Sequence, residues 1–186
     1  MIGKRMGAAL LVSAGLVTGV TLAALAAPML SEKPRLSDEV ASLAGIEAVA
    51  LSINQFPSAL RELGSSAEDV RRRWTTRLEK AGIRVVEGRN RPELWLSVRA
   101  GARPGAGDLF AYGIQFKLVQ PAHIDRLDRD LMVPTYATGG YGMARSGDLS
   151  THIEHMLDAR IKAFIDLVRD ATELTRSEQI TRPQKP

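Results

Sequence analysis

Between residues 65 and 83 apolar side chains recur at spacings of three and four, and between 93 and 119 they alternate with polar ones. The first pattern predicts a helix and the second predicts strands half-buried on one side. In the helix, Ala67, Val70, Trp74, Leu78 and Ala81 share one face. Ser65 and Glu68 have capping-box spacing at its start. Gly82 stands where a left-handed cap belongs, with Ile83 placed to fold back on the last turn. Ahead of it, residues 37–44 predict a short helix capped by Ser37 and stopped at Gly45. Residues 46–54 predict a strand, apolar on both faces at Ala48 to Leu51 and therefore interior. Pro57 and Gly64 mark a loop.

After the helix comes a strand at 83–86, which makes a β-α-β unit. Glu93–Arg99 alternates with Leu94, Leu96 and Val98 inward, and Leu109–Val119 with Phe110, Tyr112, Ile114, Phe116 and Leu118 inward. The glycine-rich AGARPGAGD joins them as a hairpin loop. Residues 132–138 predict a weaker strand because of Pro134. GGYG at 139–142 reads as a turn or irregular crossing. Ile153, Met156, Leu157, Ile161, Phe164, Ile165 and Val168 then line one side of a helix over about 150–172. Together these elements predict an α+β fold in the order β-α-β-β-β-β-α. The expected architecture is a two-layer sandwich, a mostly antiparallel sheet of four to five strands with two long helices on one face.

The N-terminus adds a destination. Lys4 and Arg5 precede the uncharged run Met6 to Leu25, and Ala24-Leu25-Ala26 fits the small-x-small cleavage rule with Ala27 following. Residues 1–26 are expected to be a signal peptide, or, uncut, an N-terminal membrane anchor through residues 6–25. Both alternatives send the rest of the chain outward, to the periplasm or beyond, or tether it at the inner membrane. Residues 27–36 read as a linker, 37–173 as a single domain and 174–186 as a flexible tail.

Composition narrows the chemistry. Of 186 residues, 45% are apolar and 25% charged, as in a globular domain. There is no cysteine, which excludes disulfides, thiolate chemistry and a lipid-bearing cysteine in this chain. The net charge is +4, two units of it from Lys4 and Arg5, too little to imply nucleic acid.

The phrase LEKAGIRVV…PELWLSVRA resembles small exported bacterial α+β domains of uncharacterised function, over about residues 46–172. The resemblance implies a fold and an envelope setting. It brings no activity and no catalytic residue.

Candidate chemistry is sparse. His152 and His155 are three apart, neighbours on one helix, and form a weak metal pair lacking a third ligand. Solvated helix histidines are the plainer reading. Arg71-Arg72-Arg73 spreads around its helix and reads as a solvated, salt-bridged face, whereas Arg73, Arg77 and Lys80 share a flank suited to an anionic contact. GARPGAGD lacks the Lys-Ser/Thr ending of a phosphate loop, and no serine sits in G-x-S-x-G. Asp125, Asp128 and Asp130 lack the glycine and glutamate of a calcium loop and read as a solvated connection. No motif implies a cofactor.

The strands carry the best candidate. If helices cover the leucine and phenylalanine side, then Trp95, Ser97, Arg99, Gln115 and Lys117 point the other way. An open sheet face bearing a tryptophan with cationic and amide neighbours suits an envelope protein or polymer. The alternative is that Trp95 is capped by the segment around GGYG or by the N-terminal segment. The expected function is therefore a non-catalytic exported domain that binds an envelope partner. The alternatives are a metal-dependent hydrolase using His152 and His155, or an anionic lipid or glycan binder.

Overall fold

The structure, a computed structural model, describes residues 36–181 except 89, 103, 104 and 106, and only the backbone of 178–181. The leader, most of the linker and the end of the tail lie outside the described residues.

Five strands form one sheet in the order β2-β1-β3-β4-β5. Strand β1 (Ala48–Ile53) runs parallel to both of its neighbours, β2 (Arg84–Val85) and β3 (Glu93–Ala102). From β3 onward the sheet is an antiparallel meander through β4 (Leu109–Ile124) and β5 (Arg129–Arg145). Two short helices, α1 (Asp38–Ala41) and α2 (Ser58–Glu62), flank β1 in sequence. The two long ones are α3 (Ala67–Lys80), between β1 and β2, and α4 (Ser146–Thr181). The fold is the two-layer α+β sandwich that the pattern predicts, with a mixed sheet.

Both long helices cover the same face. Trp74 of α3 and Phe164 of α4 meet Phe116 of β4 edge-on, with ring centroids 5.6 and 5.7 Å apart. This geometry suits the aromatic quadrupole and adds to area burial. Leu94, Leu96, Ile114 and Leu118 surround the rings from the sheet, and Leu149, Ile153, Leu157 and Ile161 from α4. Each fully buried leucine or isoleucine stabilises by about 1.5–3 kcal/mol relative to exposure.

The cap of α3 ends as expected and begins differently. Gly82 has φ +82°, and Ile83 N–H donates to Leu78 O at 2.9 Å while Gly82 N–H donates to Glu79 O at 3.0 Å. This is the Schellman arrangement. At the other end the cap is Ser66, whose Oγ accepts from Asp69 N–H at 3.1 Å. Ser65 is instead buried, its Oγ 2.6 Å from Ser150 Oγ on α4. A tertiary partner has taken the hydroxyl that local spacing assigned to the cap.

Strand β5 corrects the expectation most. It runs unbroken for 17 residues, through Pro134 and through GGYG. Pro134 is tolerated because β5 is an edge strand and a register irregularity falls opposite Leu118/Val119. None of Gly139, Gly140 and Gly142 has positive φ. They are glycines because neighbours occupy the space of a Cβ. A Cβ at 140 would lie 2.7 Å from Met156 Cε of α4, and one at 142 would lie 2.5 Å from Tyr112 Cζ. Close approach, and not a turn, explains the motif.

Two further expectations change. Pro57 opens helix α2 where a loop is predicted, and α4 continues to Thr181, beyond the last position of its apolar stripe. Asp125 to Leu127 form one 3₁₀ turn at the β4–β5 hairpin, closed by Asp128 at φ +47°. Aspartate tolerates this left-handed conformation better than most residues.

Candidate functional site

The antiparallel register brings the five residues predicted for the open face onto adjacent positions. Trp95 pairs with Lys117, Ser97 with Gln115, and Arg99 with Gly113. Lys117 Nζ lies over the indole of Trp95, 5.1 Å from the ring centroid. Trp95 is half-buried, and among the described residues this cation–π contact lies on its ring.

The next strand extends the set. Gln115 pairs with Gly139 and Gly113 with Tyr141, which places Tyr141 and Met143 on the same face. Tyr141 is 92% exposed and Met143 68%. The ring of Tyr141 leans over Gly113, where a Cβ would come within 3.1 Å of Tyr141 Cδ1. The missing side chain leaves a shallow hollow of about 170 Å³, lined by Ser97, Arg99, Ile114, Gln115 and Tyr141. A hydroxyl, a guanidinium, an amide and an aromatic face converge there. Such a group can hydrogen-bond and stack against a partner, but it contains no nucleophile–base pair. Ser97 is on the face where alternation puts it, whereas Tyr141 and Gly113 escape the sequence reading. The alternation Gly139-x-Tyr141-x-Met143 is the signal that would have found the first of them.

The other candidates are placed elsewhere. Arg77 Nη2 meets Asp158 Oδ2 of α4 at 2.6 Å, and Arg73 Nε stands 4.0 Å from Asp158 Oδ1. Two of the three flank cations thus join helix to helix, while Lys80 stays exposed at the end of α3. In the arginine run, Arg72 bridges Asp69 and Arg71 donates to Leu51 O at 2.9 Å. Leu51 lies on β1 beyond the short reach of β2, so Arg71 serves a ladder carbonyl that β2 does not reach.

His152 Nδ1–H donates to Asp148 O at 2.9 Å and His155 is exposed. Among the described residues, no group of three or more His, Asp or Glu side chains is arranged to hold a metal ion. His123, on the hairpin, has Asp130 Oδ1 at 3.1 Å from Nδ1, with Asp125 and Asp128 at 3.9 and 3.7 Å from Nε2. The three aspartates of the predicted solvated connection therefore surround one histidine on an exposed tip.

A second hollow, about 450 Å³, lies where α1 meets β5, between Asp38, Glu39, Ser42 and Pro134 to Ala137. Burial, with the Glu39 carboxylate adding to it, raises the Tyr136 phenol above its ordinary value. Among the described residues no helix is long and apolar enough to cross a membrane.

No family model and no curated protein matches the chain. Two similar solved structures are bacterial lipoproteins. A minor lipoprotein from Acinetobacter baumannii is 12% identical, over 72% of this chain and 95% of that one, at a TM-score of 0.29. The rare lipoprotein B from Shewanella oneidensis is 13% identical, over 72% of this chain and 96% of that one, at a TM-score of 0.27.

Proposed function

We propose that this chain is an exported, non-catalytic domain that binds a partner of the cell envelope through its open sheet face. The observation that carries the reading is the hollow over Gly113, where Arg99, Gln115, Ser97 and the exposed Tyr141 converge beside the Trp95–Lys117 pair. Glycine at 113 lets the Tyr141 ring lie against the sheet, and the exposed aromatic and cation on the rim of the hollow are types enriched at interfaces. The destination rests on Lys4, Arg5, the uncharged run to Leu25 and the Ala24-Leu25-Ala26 site.

The direct test replaces Trp95 and Arg99 together by alanine in the tagged full chain and compares the envelope components recovered with it. Recovery falls if the face is the binding surface. Unchanged recovery with an intact fold overturns the reading. The intact mass of the protein from cells tests the leader, and a mature start at Ala27 is the expected result.

A further inference from the structure

The open face ends at β5, and part of that edge is closed by side chains. Ala137 N–H donates to Glu39 Oε1 of α1 at 2.9 Å, and Gly139 O accepts from Arg160 Nη2 of α4 at 2.8 Å. Alternate residues of an antiparallel strand turn their N–H and C=O to the same side. The groups of Tyr141 and Met143 therefore point the same way as those of Ala137 and Gly139, outward. Ser146 N–H, in the opposite phase, turns inward to Asp108 O at 2.9 Å. Strand β5 ends the sheet order, so among the described residues the four backbone groups of Tyr141 and Met143 have no partner.

We infer that the edge at residues 140–145 takes an extended segment of the partner polypeptide as a sixth strand. The inference deepens the open-face reading and rests on it. Two donors and two acceptors at strand spacing are complementary to an extended backbone. The segment must be short. Glu39 and Arg160 close the edge at 137–139, and α4 begins at Ser146. A second copy pairing antiparallel about Gly142 would bring its own Ser146 opposite Thr138, where Arg160 and Glu39 already stand. A free peptide segment avoids that crossing. Its side chains on the open face meet Tyr141 and Met143, which favour apolar or aromatic partners, and the exposed Arg145, whose guanidinium holds Asp108 at 3.2 Å through Nη1 and has further N–H donors for a second acidic group.

The test uses a phage library of random twelve-residue peptides selected against the purified full chain. Enriched peptides should be β-prone, with an acidic residue beside apolar ones. Met143→Pro removes one outward N–H without touching a bond to β4, whereas Met143→Ala removes the side chain and keeps the N–H. The proline variant should weaken the selected peptides by about tenfold, against about threefold or less for alanine. Amide exchange supplies a readout that does not depend on the variant folding, since bound peptide should slow Tyr141 and Met143 N–H.

Several results overturn the inference. They are no enrichment, peptides that bind Met143→Pro like the parent, or these two amides already protected in the free monomer by the chain's own residues. Protection that grows with protein concentration would make a second copy the occupant and also overturn it. Peptides lost on the Trp95/Arg99 double variant but kept by Met143→Pro would sink the edge while leaving the open-face reading standing.

Discussion

The phenol of Tyr112 on β4 fills the space that a side chain at position 142 of β5 would occupy. The two are register partners, so the glycine is the complement of the tyrosine. Gly142→Ala is expected to destabilise the domain by about 1–3 kcal/mol, the range for overpacking a fitted site. Tyr112→Ser in the same chain should recover part of that loss, because the two changes share one volume. Urea denaturation of both single variants and the double variant checks this. Strictly additive losses would show that the ring does not constrain position 142.

The neighbouring glycines should rank by what a Cβ would meet. At 139 the nearest atom is the Ile114 carbonyl oxygen at 2.8 Å, part of the backbone. At 140 it is the terminal methyl of Met156 at 2.7 Å, which can swing away. Gly139→Ala is expected to lower the urea midpoint more than Gly140→Ala. The reverse order would contradict the packing described for β5.

How much was legible in the sequence turns on these residues. Period-two alternation located β3 and β4, and the three-four stripe with Gly82 located α3, because in each the local pattern and the tertiary environment ask for the same residues. Strand β5 was misread because its glycines answer a demand made by Tyr112, Met156 and Arg160, which are distant in sequence. The same cause hid Tyr141 and Met143. Trp95, Arg99, Gln115 and Lys117 follow from alternation alone, whereas Tyr141 could join them only once GGYG was known to be extended. Ser65 failed as a cap for a related reason, its hydroxyl being bound to Ser150.

The N-terminus of α3 has an acid-sensitive pair. The Ser66 hydroxyl, with Arg72 and Arg73 nearby, holds the Asp69 carboxyl below its ordinary range. A depressed carboxylate contributes stability that is present at neutral pH and lost as pH falls through its folded value. Ser66→Ala removes the cap and is expected to cost about 1 kcal/mol at neutral pH. It should also return Asp69 toward the ordinary range, so the variant should lose less additional stability on acidification. An NMR titration of Asp69 together with urea midpoints at neutral and acid pH checks both. An unmoved Asp69 titration would refute the stated cause.

Arg77 and Asp158 fasten α3 to α4 while both remain more than a third exposed. A double-mutant cycle with alanine at each should give a coupling of about 0.2–1 kcal/mol that shrinks in high salt. A coupling near zero at low salt would show that this ion pair does not hold α3 to α4.

The two tryptophans should report separately. Trp74 is fully buried and Trp95 half-buried beneath Lys117. Iodide should quench only part of the intrinsic fluorescence, and Lys117→Ala should enlarge the quenched part by uncovering Trp95. Equal quenching before and after the substitution would show that the lysine does not shield the ring.

The parallel pairing of β1 also sets a schedule. Ala50 is the partner of Glu93, so β1 leaves the ribosome roughly forty residues before the strand that receives it. The meander β3-β4-β5 can zip from local hairpins, but the edge of AVALSI that faces β3 must wait for the chain to return, with only the two residues of β2 available to it before then. Until then an apolar strand stands with one edge open, the arrangement that natural sheets otherwise cover.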